Sequence, residues 1–398
     1  MNRDDFSILG SNIIYFDNGA TTFKPNYVID AICDYYRNYT ANAHRGDYSN
    51  SLKVDKIYEE TREKVKDFIN ANDAKEIIFT KGTTDSLNII ASGFMKNYLQ
   101  EHDEVIITKS EHASNILPWL ELEKEIGIKV KYIDLDENYE VNIANLINCI
   151  NDNTKVISLA HITNVIGDVR PIEEIGRICK EKNIIFIVDA AQSIGHLEMN
   201  VQKANIDFLA FSGHKMLGPT GVGVLYGRYE LLNELYPVQF GGGMNIKFDS
   251  VGNIEYKELP SRLEAGTPNI AGVIGLGAAI DYIHNLGIDK IHSHELALKK
   301  YALKKLEQIP GIEIYNKNSN SGIIIFNIEN IFSQDTALFL DHYHICVRAG
   351  SHCAKTLKEE IGVKNTCRIS FYLYNTIEEI DHLIDVLKTH DKMFDVII

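Results

Sequence analysis

The sequence is short of cysteine, proline and tryptophan, with six, eight and one in 398 residues. The cysteines are Cys33, Cys149, Cys179, Cys346, Cys353 and Cys367. None forms a C-x-x-C pair, and a chain of this length needs no disulfide framework. A reducing cytoplasm is therefore the expected compartment, and no metal site is expected. No apolar run approaches the length that spans a bilayer. The opening stretch, MNRDDFSILGSNIIYFDNGATTF, has no basic start followed by an apolar core, so no signal peptide is read. Positive charge is also scarce. Against 55 Asp and Glu stand 40 Lys and Arg, a formal net charge of −15. That balance speaks against a nucleic-acid or anionic-membrane partner and suits solubility.

What is present is an ordinary folding composition, 45% hydrophobic and 24% charged. From residue 76 onward, apolar stretches alternate with amphipathic ones. EIIFT, DEVIITKS, KVKYIDLD, TKVISLAHI, IIFIVDAA, IDFLAFSG and GVGVLYG read as strands. TTDSLNIIASGFMKNYL, NILPWLELEKEIG, IANLINCI and PIEEIGRICKEKN read as the helices between them. Ile- and Val-rich strands without polar alternation belong in a mainly parallel sheet covered on both faces. After about residue 270 the order changes. Long helices GVIGLGAAIDYIHNLG and HSHELALKKYALKKLEQI precede strands GIEIY, SGIIIFNIE and HICVRAG and a last helix, TIEEIDHLIDVLKTH. The expected organisation is a large α/β domain over 16–275 and a smaller α+β domain over 276–398 that is joined by residues 1–15.

Four features carry chemistry. In FLAFSGHKMLGPTGVGVLY, Lys215 sits between two strands after Ser212 and His214. Burial disfavours its charge, which suits a Schiff-base lysine. Taken alone, a lysine whose ammonium reaches solvent is the commoner case. Asp189 ends the strand in IVDAAQSIGH, where a carboxylate can pair with a protonated pyridine nitrogen or simply cap the next helix. In FTKGTTDSLNII, a glycine and Thr83 and Thr84 form a strand-to-helix turn that offers N–H groups and hydroxyls to a phosphate. The same residues are also ordinary helix caps. His112 in KSEHASNILPW follows a strand and can stack on a ring and shuttle protons.

In this order, the four features resemble a fold-type I enzyme that uses pyridoxal 5′-phosphate, in the class V aminotransferase group. More narrowly, they resemble the group II, Suf-type cysteine desulfurases. The likeness runs nearly end to end, through YFDNGATT, NAHRGDYSNS, GTTDSLNIIA, EHASNILPW, HITNVIGDVRPI, VDAAQSIGH, FSGHKMLGPTGVGVLYG, FGGGMNI, RLEAGTPNIAGVIGLGAAIDY, VRAGSHCA and CRISFYLYNT. The resemblance implies that Lys215 carries the cofactor and that Asp189 meets its ring nitrogen. Gln192 would bond the ring's phenolic oxygen, and His112 would stack on the ring and move protons. Thr83, Thr84, Ser212 and His214 would hold the phosphate, joined by Thr267 from the second subunit of a homodimer. Asn164, Arg348 and Arg368 would hold the substrate, L-cysteine. Cys353 would be the nucleophile that takes its sulfur and passes it to an acceptor scaffold protein of the Suf or Isc type, for iron–sulfur cluster assembly.

Cys353 also stands out by its setting, a Gly/Ser/His loop with Arg348 and Lys355 close in sequence. Cationic neighbours favour the thiolate, and the thiolate is the nucleophile. Gly350 and Ser351 suggest a mobile loop. Cys346 and Cys367 lie in or beside apolar runs and read as packed. Three positions depart from the resemblance: Ser351 where the group has a second histidine, Thr356 where it has proline, and Asp85 where it has glutamate. The first two bear on loop mobility and on the acceptor. A selenocysteine lyase, another class V aminotransferase-like enzyme and a non-catalytic binding scaffold are the alternatives.

Overall fold

Seven strands form the central sheet of the computed structural model, which describes residues 2–44 and 46–397. Arg45, within the NAHRGDYSNS stretch, lies outside the described residues. The strand order is Ile77–Thr80, Gly223–Gly227, Phe208–Ser212, Ile185–Asp189, Thr154–Ala160, Glu104–Thr108 and Lys129–Ile133. Gly223–Gly227 runs antiparallel to both of its neighbours, and the pairs from Phe208–Ser212 to Lys129–Ile133 are parallel. The expected mainly parallel sheet is therefore present.

Side chains alternate across a strand, so a sheet covered on both faces needs apolar residues at every position. Ile106, Ile157, Phe186, Val188, Leu209 and Phe211 enter one core. Val105, Ile107, Val156, Ile185, Ile187, Phe208 and Ala210 enter the other. That is why these strands show no polar alternation.

A second sheet of four strands has the order Ile312–Ile314, Ile323–Ile328, Thr366–Ser370 and Arg348–Gly350, all antiparallel. Its own core gathers Phe16, Leu298, Ile324, Phe326, Phe339 and Leu383. The N-terminal segment joins this unit, because Ile14 and Tyr15 pair in parallel with Ile345 and Cys346. The helix Ile270–Leu286 packs on Asn26–Asn38 and Ser49–Ile69, and it runs through the expected domain boundary at 275. Among the described residues, no single helix is long and apolar enough to cross a membrane.

Three elements differ from the sequence expectation. The helix read over 83–99 is an α-helix, Thr83–Ile89, a π-helical turn, Ile90–Met95, and a last turn, Lys96–Tyr98. Gly93 lies in the π turn, and a Cβ there would meet the Tyr236 carbonyl oxygen at 2.6 Å. The run HICVRAG is split, since Ile345–Cys346 and Arg348–Gly350 belong to different sheets. A hairpin, Asn245–Phe248 with Ile254–Tyr256, was not readable: its residues are almost all exposed, so no face alternates.

Candidate active site

Parallel strands deliver their carboxyl ends to one edge of a sheet, and the loops there line the crevice. Here those loops are Lys81–Thr84, Lys109–Ser114, His161–Asn164, Ala190–Gln192 and Gly213–Lys215. Residues 348–353 and Arg368 close the crevice from the small sheet. The result is a cleft of about 240 Å³. It brings together every site residue expected from the sequence except Thr267: Lys215, Asp189, Gln192, His112, Thr83, Thr84, Ser212, His214, Asn164, Arg348, Arg368 and Cys353. Thr267 lines a separate pocket on the same chain, beside Lys81, Asp85 and Gly221.

Lys215 follows the buried strand Phe208–Ser212. Burial is the main cause that lowers its pKa to about 8, against an opposing pull from Asp189. Asp189 is pushed up to about 6, chiefly by burial. Its Oδ1 accepts from the Ala191 N–H at 2.9 Å, while its Oδ2 has no protein donor among the described residues. The Gln192 side-chain amide donates to the Gly19 carbonyl at 2.8 Å. His112 is held near pKa 4 by burial first and then by Lys215, Arg368 and Arg348, so it is neutral at pH 7. Its Nδ1 accepts from the Ser114 N–H at 3.1 Å.

The turn expected to bind phosphate is built differently from a cup of free N–H groups. The Thr83 N–H is taken by Ser212 Oγ at 2.8 Å, and Thr83 Oγ1 meets the same hydroxyl at 2.8 Å. Gly82 permits this approach, with φ +151° and space for a Cβ only 3.1 Å from Ser212 Oγ. Thr84 Oγ1 lies 2.7 Å from Ser114 Oγ, which ties the turn to His112. Ser114 lines the cleft, and sequence reasoning passed over it. A serine two residues after a histidine carries no signal of its own.

Below His112, the strand ends are locked by a buried ion pair between Arg170 and Glu111. Glu111 Oε2 also accepts from the Ala160 N–H at 2.8 Å. Buried charges need this degree of pairing.

Cys353 is the exposed thiol of the six; the others are buried or intermediate. Burial raises the thiols of Cys149, Cys179, Cys346 and Cys367, the last to about 12. The sequence suggested a mobile loop here, and in the structure its backbone makes two hydrogen bonds to neighbouring segments. His352 and Cys353 both have positive φ, 53° and 58°. The His352 carbonyl accepts from Asn164 Nδ2 at 2.7 Å, and the Cys353 carbonyl accepts from the Ala113 N–H at 2.9 Å. Thr356, at a position of departure, donates its hydroxyl to the Lys109 carbonyl at 2.6 Å. Proline could not make that bond. Asp85 Oδ2 accepts from the Lys81 N–H at 3.0 Å. His352 itself is buried and lines the cleft, with Nε2 3.0 Å from the Thr366 carbonyl.

Arg368 is buried and Arg348 is exposed. The Arg368 Nη1 donates to the Asn164 carbonyl at 2.8 Å, and Nη2 to Asp17 Oδ1 at 3.0 Å. Among the described residues its Nε finds no partner, nor does Asn164 Oδ1. Both residues line the cleft.

Residues 14–383 match the family Aminotransferase class-V. A probable cysteine desulfurase of Halalkalibacterium halodurans is 43% identical over 390 residues, covering 98% of this chain and 96% of that protein. The chain belongs to the class-V aminotransferase family, in its cysteine desulfurase branch. A second relative in that branch, a probable cysteine desulfurase of Staphylococcus aureus, is 43% identical over 397 residues, covering 98% of this chain and 96% of that protein. The solved cysteine desulfurase of Thermococcus onnurineus superimposes with a TM-score of 0.94 at 39% identity, covering 98% of this chain and 97% of that one. The cysteine desulfurase CsdA of Escherichia coli gives 0.92 at 34% identity, covering 100% and 98%. The fold is thus the fold-type I architecture expected from the sequence.

Proposed function

We propose that the chain is a pyridoxal 5′-phosphate-dependent cysteine desulfurase that converts L-cysteine to L-alanine and loads the sulfur on Cys353. The observation that carries this reading is one exposed thiol in the same cleft as a lysine of lowered pKa and a buried, half-satisfied carboxylate. The cleft's residues fit the cofactor. The open Oδ2 of Asp189 suits a protonated ring nitrogen, and a cationic partner there would favour the carboxylate that burial disfavours. When bound, the cofactor supplies an electron-withdrawing ring that takes up charge left at the substrate Cα.

Lys215 would hold the cofactor, and its amine would take the proton from the substrate Cα. A pKa near 8 leaves part of the amine unprotonated at neutral pH. Gln192 would bond the ring's phenolic oxygen, and neutral His112 would cover the ring face and move protons. Ser212, His214, Thr83 and Thr84 would hold the phosphate. Arg368, with Asn164 and Arg348, receives the substrate carboxylate through a fork of N–H groups. The Cys353 thiolate then attacks the substrate sulfur. An S–S bond would form as the Cβ–S bond breaks; Cβ keeps that electron pair and takes up a proton, and Lys215 returns to Cα the proton it removed. L-alanine leaves, and Cys353 holds a persulfide for an acceptor protein of the Suf or Isc scaffold type, in iron–sulfur cluster assembly. The six free thiols suit the reducing cytoplasm.

Cys353→Ser is the test. Alanine formation from cysteine should fall by orders of magnitude while the change in cofactor absorbance on adding cysteine persists. A variant that still makes alanine at the wild-type rate would refute the role of Cys353 and favour a selenocysteine lyase, and amino-group transfer from cysteine without alanine would favour an aminotransferase.

A further inference from the structure

Asp17 has no part in the scheme above, yet it touches both arginines of the cleft. Its Oδ1 accepts from Arg368 Nη2 at 3.0 Å, and its Oδ2 lies 3.7 Å from Arg348 Nη1. The Arg368 guanidinium is therefore held at both terminal nitrogens, by Asp17 on one and by the Asn164 carbonyl on the other at 2.8 Å. The same N-terminal stretch also supports it from beneath. A Cβ at Gly19 would come within 3.0 Å of Arg368 Cζ and 3.1 Å of Nη2. Asp17 is itself anchored, bridged in parallel to Ser370, while the Gly19 N–H donates to Ser370 Oγ at 2.8 Å. Arg368 and Ser370 lie on one strand, so the carboxylate and the guanidinium share a rigid frame.

Each held nitrogen uses one N–H and keeps another, and the buried Nε–H has no partner among the described residues. A guanidinium reads a carboxylate well only if its plane is fixed. We infer that Asp17 is the positioning residue for Arg368, and that it sets the preference for substrates that carry an α-carboxylate over amines that lack one. This rests on the proposed role of Arg368 as the carboxylate-binding group.

The experiment compares L-cysteine with cysteamine, which has the same amine and thiol without the carboxylate. On the holoenzyme, alanine formation gives kcat and KM for cysteine, and cysteamine is measured as a competitive inhibitor. Asp17→Ala is expected to raise KM for cysteine about tenfold, the scale of one charged hydrogen bond. It should leave kcat within about twofold and the cysteamine constant unchanged. Asp17→Asn keeps an acceptor oxygen in place and should restore most of the affinity. Gly19→Ala, which crowds the guanidinium from the other side, should raise KM for cysteine in the same selective way. Equal losses for cysteine and cysteamine, an unchanged KM, or an Asp17→Asn variant as weak as Asp17→Ala would overturn the inference. Arg368→Ala, run in parallel, separates the two claims: if it too leaves the cysteine-to-cysteamine ratio unchanged, the reading of Arg368 fails first.

Discussion

Lys215 and Arg368 are both cations sunk in one cleft, and burial sets the task of each. Lys215 is held near pKa 8 by lost hydration, which prepares an amine for covalent work. Borohydride reduction of the holoenzyme followed by peptide mapping should place the pyridoxyl group on Lys215, and a label on another lysine would remove that assignment. Arg368 stays charged, paired with Asp17 at 3.0 Å, and its remaining N–H groups are the ones proposed to take the substrate carboxylate. Arg368→Ala should raise KM for cysteine tenfold to a thousandfold, since losing a buried charge-assisted pair costs about 2–4 kcal/mol. An unchanged KM would contradict the role. Residues such as these were legible in the sequence because each is a cation set against an apolar strand, Lys215 just past the end of one and Arg368 inside another. Asp17, Ser114 and the cleft-lining side of His352 were not, because their contacts come from segments far apart in the chain. Asp17 meets Arg368 across 351 positions.

At the scale of elements, the short helix Lys355–Ile361 holds the nucleophile in place. It carries a buried lysine, Lys358, whose Nζ has a single hydrogen bond among the described residues, to Thr366 Oγ1 at 2.5 Å. Burial, and then the nearby Arg368, lower the Lys358 pKa to about 8. The folded value lies below the unfolded one, near 10.4. The cost of burying this charge is therefore full below about pH 8 and fades as the pH rises through 10.4. Lys358→Met should make the protein more stable at pH 7, by at most about 3 kcal/mol. The gap should close toward pH 10. Denaturant melts at several pH values check this, and a gap that does not change with pH would contradict it. The strands of the central sheet were legible because burial on both faces leaves continuous Ile/Val runs. The tertiary bonds of the 351–354 turn were not. Gly350 and Ser351 carry no sign of the hydrogen bonds that the turn makes to Asn164 and Ala113. The π turn at Ile90–Met95 was hidden too, because nothing in the residue pattern of 83–98 separates it from an α-helix.

The whole molecule leaves one expected residue out of its own cleft. Thr267 is exposed, in a pocket beside Asp85 and Gly221, which fits the proposal that it completes the phosphate site of a second subunit. Thr267→Ala should then weaken cofactor retention on dialysis. A monomer that is fully active at every concentration tested would contradict the shared site. The central claim is that sulfur from cysteine comes to rest on Cys353, and mass spectrometry tests it most directly. After brief exposure of the holoenzyme to L-cysteine, the peptide containing Cys353 is expected to gain one sulfur that a reductant removes. A sulfur found on Cys346 or Cys367, or none anywhere while alanine is still formed, would contradict the account.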